Sequence, residues 1–111
     1  MDPQADLDFE GPKTIPWAGN WHGSAGWATF FQMLGENADE ITVKMEPFAA
    51  QGENIVTAGR YQARVKLTGQ RIDSPLVHLW TIRNGMVVRC QELTNTAIEA
   101  AACTAGRGAG V

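Results

Sequence analysis

Three groups of residues have types that could do chemistry. Glu10 closes the alternating stretch Leu7-Asp8-Phe9-Glu10, just before Gly11-Pro12. A carboxylate in a partly apolar cleft has its pKa raised and can act as a base near neutral pH. The alternative is a solvated strand end, because Leu7 and Phe9 form the core face. His78 shares strand parity with Leu76, Trp80 and Ile82, so it should point inward. There an imidazole can donate a hydrogen bond or shuttle a proton. The alternative is a core histidine bonded to a backbone carbonyl. Glu92 shares parity with Val88 and Cys90 and is expected to face inward as well. An inward glutamate needs a partner, and Arg60 is the natural one. That pair either serves a site, with the amide of Gln62 beside it, or braces adjacent strands.

The elements that must position these groups follow from hydrophobic period and turn chemistry. Leu7 to Glu10 reads as a short strand. Residues 12–23 read as a loop punctuated by Pro12, Pro16, Gly19 and Gly23. Ser24 is the expected N-cap of a helix to about Leu34, with Trp27, Phe30, Phe31 and Leu34 on one face. Alternation then predicts strands over Ile41–Glu46, Ile55–Leu67, Ile72–Ile82 and Met86–Leu93. The last two are joined by Asn84-Gly85, a strong hairpin cue. Thr96-x-x-Glu99 matches a capping box and predicts a short helix near 97–104. Residues 106–111 are expected to form a flexible tail after a single domain over 1–105.

The chain has 111 residues, 44% of them hydrophobic, which suits one domain with its own core. A net charge of −3 argues against a nucleic-acid partner. No apolar run approaches the ~18 residues of a membrane span, and the acidic N-terminus lacks a signal-peptide core. A cytoplasmic protein is therefore expected. Cys90 and Cys103 are too few for a disulfide framework. No metal-ligand spacing, dinucleotide fingerprint or nucleophile elbow appears, so neither a metal nor a cofactor is expected. Hairpin-linked strands with a helix across one face indicate an α+β domain around a small-molecule cavity.

Four segments in this order resemble the SnoaL-like branch of the nuclear transport factor 2-like superfamily. They are the Gly11-Pro12 loop, the Trp21-His22-Gly23 turn into an aromatic helix, the His78-to-Gly85 hairpin, and Gln91 to Ala97 leading into the last helix. Ketosteroid isomerase and limonene-1,2-epoxide hydrolase belong to the same superfamily. The resemblance covers roughly residues 5–100. It implies a strongly curved antiparallel sheet wrapped around a helix, an α+β barrel with a cone-shaped pocket. Family members usually carry one more long helix before the first strand, and this chain begins almost at that strand.

The resemblance also implies roles. Glu10 falls where ketosteroid isomerase places its proton-shuttling aspartate, and His78 where it holds a protonated aspartic acid. Arg60, Gln62 and Glu92 stand at the Asp-Arg-Asp positions of limonene-1,2-epoxide hydrolase. Gln62 departs from that pattern, because an amide cannot exchange a proton at neutral pH. Catalytic roles are thus expected for Glu10 or Glu92 as base, His78 as donor or shuttle, and Arg60 as orienting charge. Gln62, Leu76, Trp80, Trp27 and Phe31 are expected to contact substrate, with Trp17 in the loop at the cavity mouth. The implied activity is cofactor-independent acid–base chemistry on a lipophilic small molecule: isomerisation, cyclisation or hydration. The implied assembly is a homodimer. A non-catalytic binding protein or a dimerisation module on the same fold remains the alternative, since fold alone does not choose.

Overall fold

The computed structural model describes residues 1–109, with side chains as far as Thr104. Six strands and two helices follow in the order β1 (Asp6–Phe9), β2 (Gly19–His22), α1 (Gly23–Asn37), β3 (Ala38–Gln51), β4 (Asn54–Val65), β5 (Arg71–Arg83), β6 (Met86–Thr94) and α2 (Thr96–Ala109). One sheet holds all six strands in the order β2-β1-β6-β5-β4-β3. Every neighbour pair is antiparallel except β1 and β6, which run parallel. The expected α+β class holds, with a curved sheet that is not closed into a barrel. Among the described residues no helix is long and apolar enough to cross a membrane.

The β5–β6 turn forms as its sequence predicts. Asn84 and Gly85 take φ of 53° and 77°, the left-handed pair that a two-residue hairpin turn requires. Gly59 has a different task. A Cβ there would lie 1.7 Å from the Lys44 carbonyl oxygen, so only glycine lets β3 cross this closely in mid-strand.

Several expectations are corrected. The loop expected over 12–23 contains β2, a four-residue strand on the sheet edge whose only strand neighbour is β1. Ser24 does not cap α1. The helix starts at Gly23, and the N-terminal segment satisfies its first amides: Gly23 donates to the Ala5 carbonyl at 2.8 Å and Ser24 to the Pro3 carbonyl at 3.2 Å. Gly35 does not end the helix. Lys66 supplies the missing partners, its backbone amide to the Asn37 carbonyl and its ammonium to the Gly35 carbonyl. The capping box at α2 is replaced by Asn95, whose Oδ1 accepts from the Ile98 amide at 3.2 Å. The last helix, expected near 97–104, runs over Thr96–Ala109, and residues 110 and 111 of the expected tail lie outside the described residues.

The core lies between α1, α2 and the concave face of the sheet. Leu7 and Phe9 of β1, Ile15 and Trp17 of the loop, Phe30 of α1, Tyr61, Ala63 and Val65 of β4, and Ile72 and Leu76 of β5 are all buried. Trp17 is entirely enclosed, so it is a wall of the core rather than a residue of the cavity mouth. Phe30 anchors the aromatic face of α1 against Phe9, with ring centroids 6.0 Å apart.

Candidate active site

Strand register decides which side chains meet. Pairing of β1 with β6, β6 with β5 and β5 with β4 aligns Phe9, Glu92, His78 and Thr57 in one row across four strands. The next row is Leu7, Cys90, Trp80 and Ile55. Residues two apart on a strand share a face, so both rows front the concave side. Under α1, Phe9, Glu92 and His78 of the first row and Leu7, Cys90 and Trp80 of the second border a cavity of about 200 Å³.

Apolar side chains make most of the cavity wall. Leu76, Trp80, Trp27, Phe31 and Trp17 all line it. The indoles are already engaged. Trp80 Nε1 donates to Thr57 Oγ1 at 2.9 Å, Trp27 Nε1 to the Ala5 carbonyl at 3.0 Å, and Trp17 Nε1 to Glu99 Oε2 at 3.2 Å. Phe31 is 58% exposed and marks the open side, together with the exposed Ile41 and Val43.

Against this wall stands one polar pair. His78 Nε2 and Glu92 Oε1 are 2.9 Å apart, with side-chain exposures of only 12% and 14%. A largely desolvated imidazole–carboxylate bond is stronger than one in water, and it fixes the ring. The edge of Trp80 against His78, centroids 5.2 Å apart at 73°, restrains the ring further. Such a pair can hold a proton between its members and pass it to or from a bound molecule.

The other expected catalytic residues are elsewhere. Glu92 pairs with His78, not with Arg60. Arg60 and Gln62 alternate with the inward Tyr61, so strand parity sends both to the opposite face. There Arg60 bonds Asp73 at 2.8 Å. Glu10 is exposed, accepts a hydrogen bond from Gln91 at 3.3 Å and does not border the cavity. Its strand ends at Phe9, and Phe9 takes the inward position beside Glu92.

Three polar residues near the site escaped the sequence reading. Tyr61 lines the cavity with its ring, while its hydroxyl is buried without a hydrogen-bond partner. Burial, followed by the nearby Glu99 carboxyl, pushes that phenol well above its ordinary range. Cys90 borders the cavity, and burial with Glu92 beside it pushes its thiol up to about 12. It is therefore an unreactive thiol by itself. Glu99 is fully buried, its Oε2 held by Trp17 and its carboxyl also neighboured by the Thr94 hydroxyl. Burial raises its carboxyl to about 7, against the pull of its hydrogen bonds. The inward parity of Tyr61 was visible in the strand pattern. The inward turn of Glu99 was not, because the helix pattern offered it a capping role.

Residues 3–90 match the family profile of the SnoaL-like domain. The chain belongs to the SnoaL-like domain family. Solved structures of similar fold agree. An NTF2-like protein from Burkholderia xenovorans LB400 superposes with a TM-score of 0.82 at 28% identity, over 93% of this chain and 77% of that one. TerC, co-crystallised with polyporic acid, gives 0.82 at 21% identity, over 93% and 79%. A protein from Jannaschia sp. CCS1, assigned as a SnoaL-like polyketide cyclase, gives 0.79 at 22% identity, over 95% and 74%. Comparison with curated proteins yields no match. A SnoaL-like domain of the NTF2-like superfamily is thus the scaffold that carries the His78–Glu92 pair.

Proposed function

We propose that this SnoaL-like domain is an enzyme that moves a proton on a lipophilic small molecule, as an isomerase or cyclase does, using its own side chains. The observation that carries this reading is the His78–Glu92 pair on the wall of an otherwise apolar cavity. Apolar walls exclude water and favour a ligand with large hydrocarbon or aromatic surface. In such a site a carboxylate can take a proton from carbon next to a carbonyl, and an imidazole can support the oxygen where charge develops. Glu92 is assigned the base, and His78 the donor or shuttle. An epoxide hydrolase of the Asp-Arg-Asp type is disfavoured, because Arg60 and Gln62 face away from the cavity.

Tryptophan fluorescence tests the reading, since Trp27 and Trp80 line the cavity. A panel of β,γ-unsaturated cyclic ketones and polycyclic phenols should quench it saturably. The ketones should then be converted to conjugated enones, followed by ultraviolet absorbance. Saturable binding without conversion of any ketone would favour a non-catalytic binding protein. Absence of binding by any member would overturn the ligand-site premise. A homodimer is part of the same proposal, and equilibrium sedimentation tests it.

A further inference from the structure

We infer that His78, Cys90 and Glu92 form a three-ligand site for a borderline divalent cation of the zinc class, with its fourth position open to the cavity. The inference goes beyond the acid–base reading and does not depend on turnover.

The ligand atoms of the three residues all lie within 4.8 Å of one another. The sheet itself sets this geometry. His78 and Glu92 face each other in register on β5 and β6, and Cys90 lies two residues before Glu92 on the same face, opposite Trp80. None of the three depends on a loop for its position. The donor set is one nitrogen, one sulfur and one oxygen. A thiolate with an imidazole selects zinc or cobalt over magnesium or calcium, which prefer all-oxygen shells.

The distances suit a small tetrahedral ion. Zinc at about 2.0–2.1 Å from nitrogen and oxygen and about 2.3 Å from sulfur holds its ligand atoms roughly 3.3–3.6 Å apart. His78 Nε2 and Glu92 Oε1 are already at 2.9 Å. That pair must open by roughly 0.4 Å, and the Cys90 sulfur, within 4.8 Å of both, must close by at most about 1.3 Å, within reach of side-chain rotation. The cation would replace the proton shared by His78 and Glu92 and would displace the thiol proton to solvent, leaving a neutral imidazole, a carboxylate and a thiolate as ligands. The three residues sit together on the border of the apolar cavity, the space into which a fourth ligand would extend.

Cobalt(II) titration of the full chain tests the site, because thiolate ligation gives an intense near-ultraviolet charge-transfer band and tetrahedral geometry gives strong visible bands. One ion per chain with both features is expected, and zinc should displace it. Cys90→Ser should abolish the charge-transfer band, whereas Cys103→Ser should keep it. His78→Gln should weaken binding roughly tenfold or more. If Cys90→Ser fails to fold, as judged by circular dichroism, the His78→Gln titration carries the test. A full chain without the near-ultraviolet band, a band that survives Cys90→Ser, or unchanged affinity in His78→Gln overturns the inference. A bound cation would occupy the lone pairs that the acid–base reading uses, so enone formation is measured on chelator-treated protein and the cobalt titration separately, and the two readings fail separately.

Discussion

His78 and Glu92, 14 residues apart in the chain, are direct cross-strand partners whose side chains bond at 2.9 Å beneath the aromatic face of α1. Among the described residues neither is paired with arginine or lysine.

Replacing either member isosterically should separate binding from chemistry. His78→Gln and Glu92→Gln are each expected to lower the conversion rate of a β,γ-unsaturated ketone by about 10²–10⁴-fold. Fluorescence-detected binding should change by less than about tenfold, because the apolar wall supplies most of the contact. Stopped-flow absorbance and equilibrium quenching on the same samples check this.

Arg60→Ala gives the opposite expectation. Among the described residues its one ion-pair partner is Asp73, and both side chains are more than half exposed. Such pairs contribute about 0.2–1 kcal/mol, and the guanidinium faces away from the cavity. Conversion rate should stay within about twofold of the parent, and thermal unfolding should show only a small shift. A large rate loss would mean that Arg60 reaches the site after all.

Glu99 makes stability depend on pH. Burial raises its carboxyl to about 7 in the folded chain, against 4.5 for an ordinary glutamate. The folded state therefore binds the proton more tightly. Stability from this group is fully present below about pH 4.5, declines as pH rises towards 7, and levels off above it. The difference corresponds to on the order of 3 kcal/mol. Urea unfolding of the parent between pH 4.5 and 8 should show this loss on the alkaline side. Glu99→Gln, which cannot ionise, should remove that part of the slope.

Gly59→Ala should damage the sheet where β3 crosses β4. The added methyl would meet the Lys44 carbonyl oxygen at 1.7 Å, and backbone atoms cannot swing aside. A cost of about 1–3 kcal/mol or more is expected, measurable as a lower urea midpoint. An unchanged midpoint would show that β3 can move away freely.

Much of the fold was legible because its signals are local. Alternation marked β3 to β6, Asn84-Gly85 marked the turn between β5 and β6, and the spacing of Trp27, Phe30 and Leu34 marked α1. The edge strand β2 was missed because four residues ending in Trp21-His22 show no usable alternation. Helix ends were misplaced where distant backbone, such as Pro3, Ala5 and Lys66, satisfies the terminal groups. Of the expected site, His78, Glu92 and the apolar wall came together, while Glu10, Arg60 and Gln62 did not.

The amino-acid order by itself determined which residues share a strand face, because side-chain direction alternates along a strand whatever its neighbours are. It set Tyr61 apart from Arg60 and Gln62, but Arg60 and Gln62 were the two expected in the site, and burial of Tyr61 reverses that; it also put His78 on one face with Leu76 and Trp80, and Glu92 on one face with Cys90. What it could not determine was pairing. Register between β5 and β6 made Glu92 the partner of His78, and the parallel docking of β1 beside β6 put Phe9 rather than Glu10 next to that pair. The packing of α2 against the loop at Trp17 turned Glu99 into the core. These are contacts between segments far apart in the chain, and only the folded sheet and its covering helices choose among them.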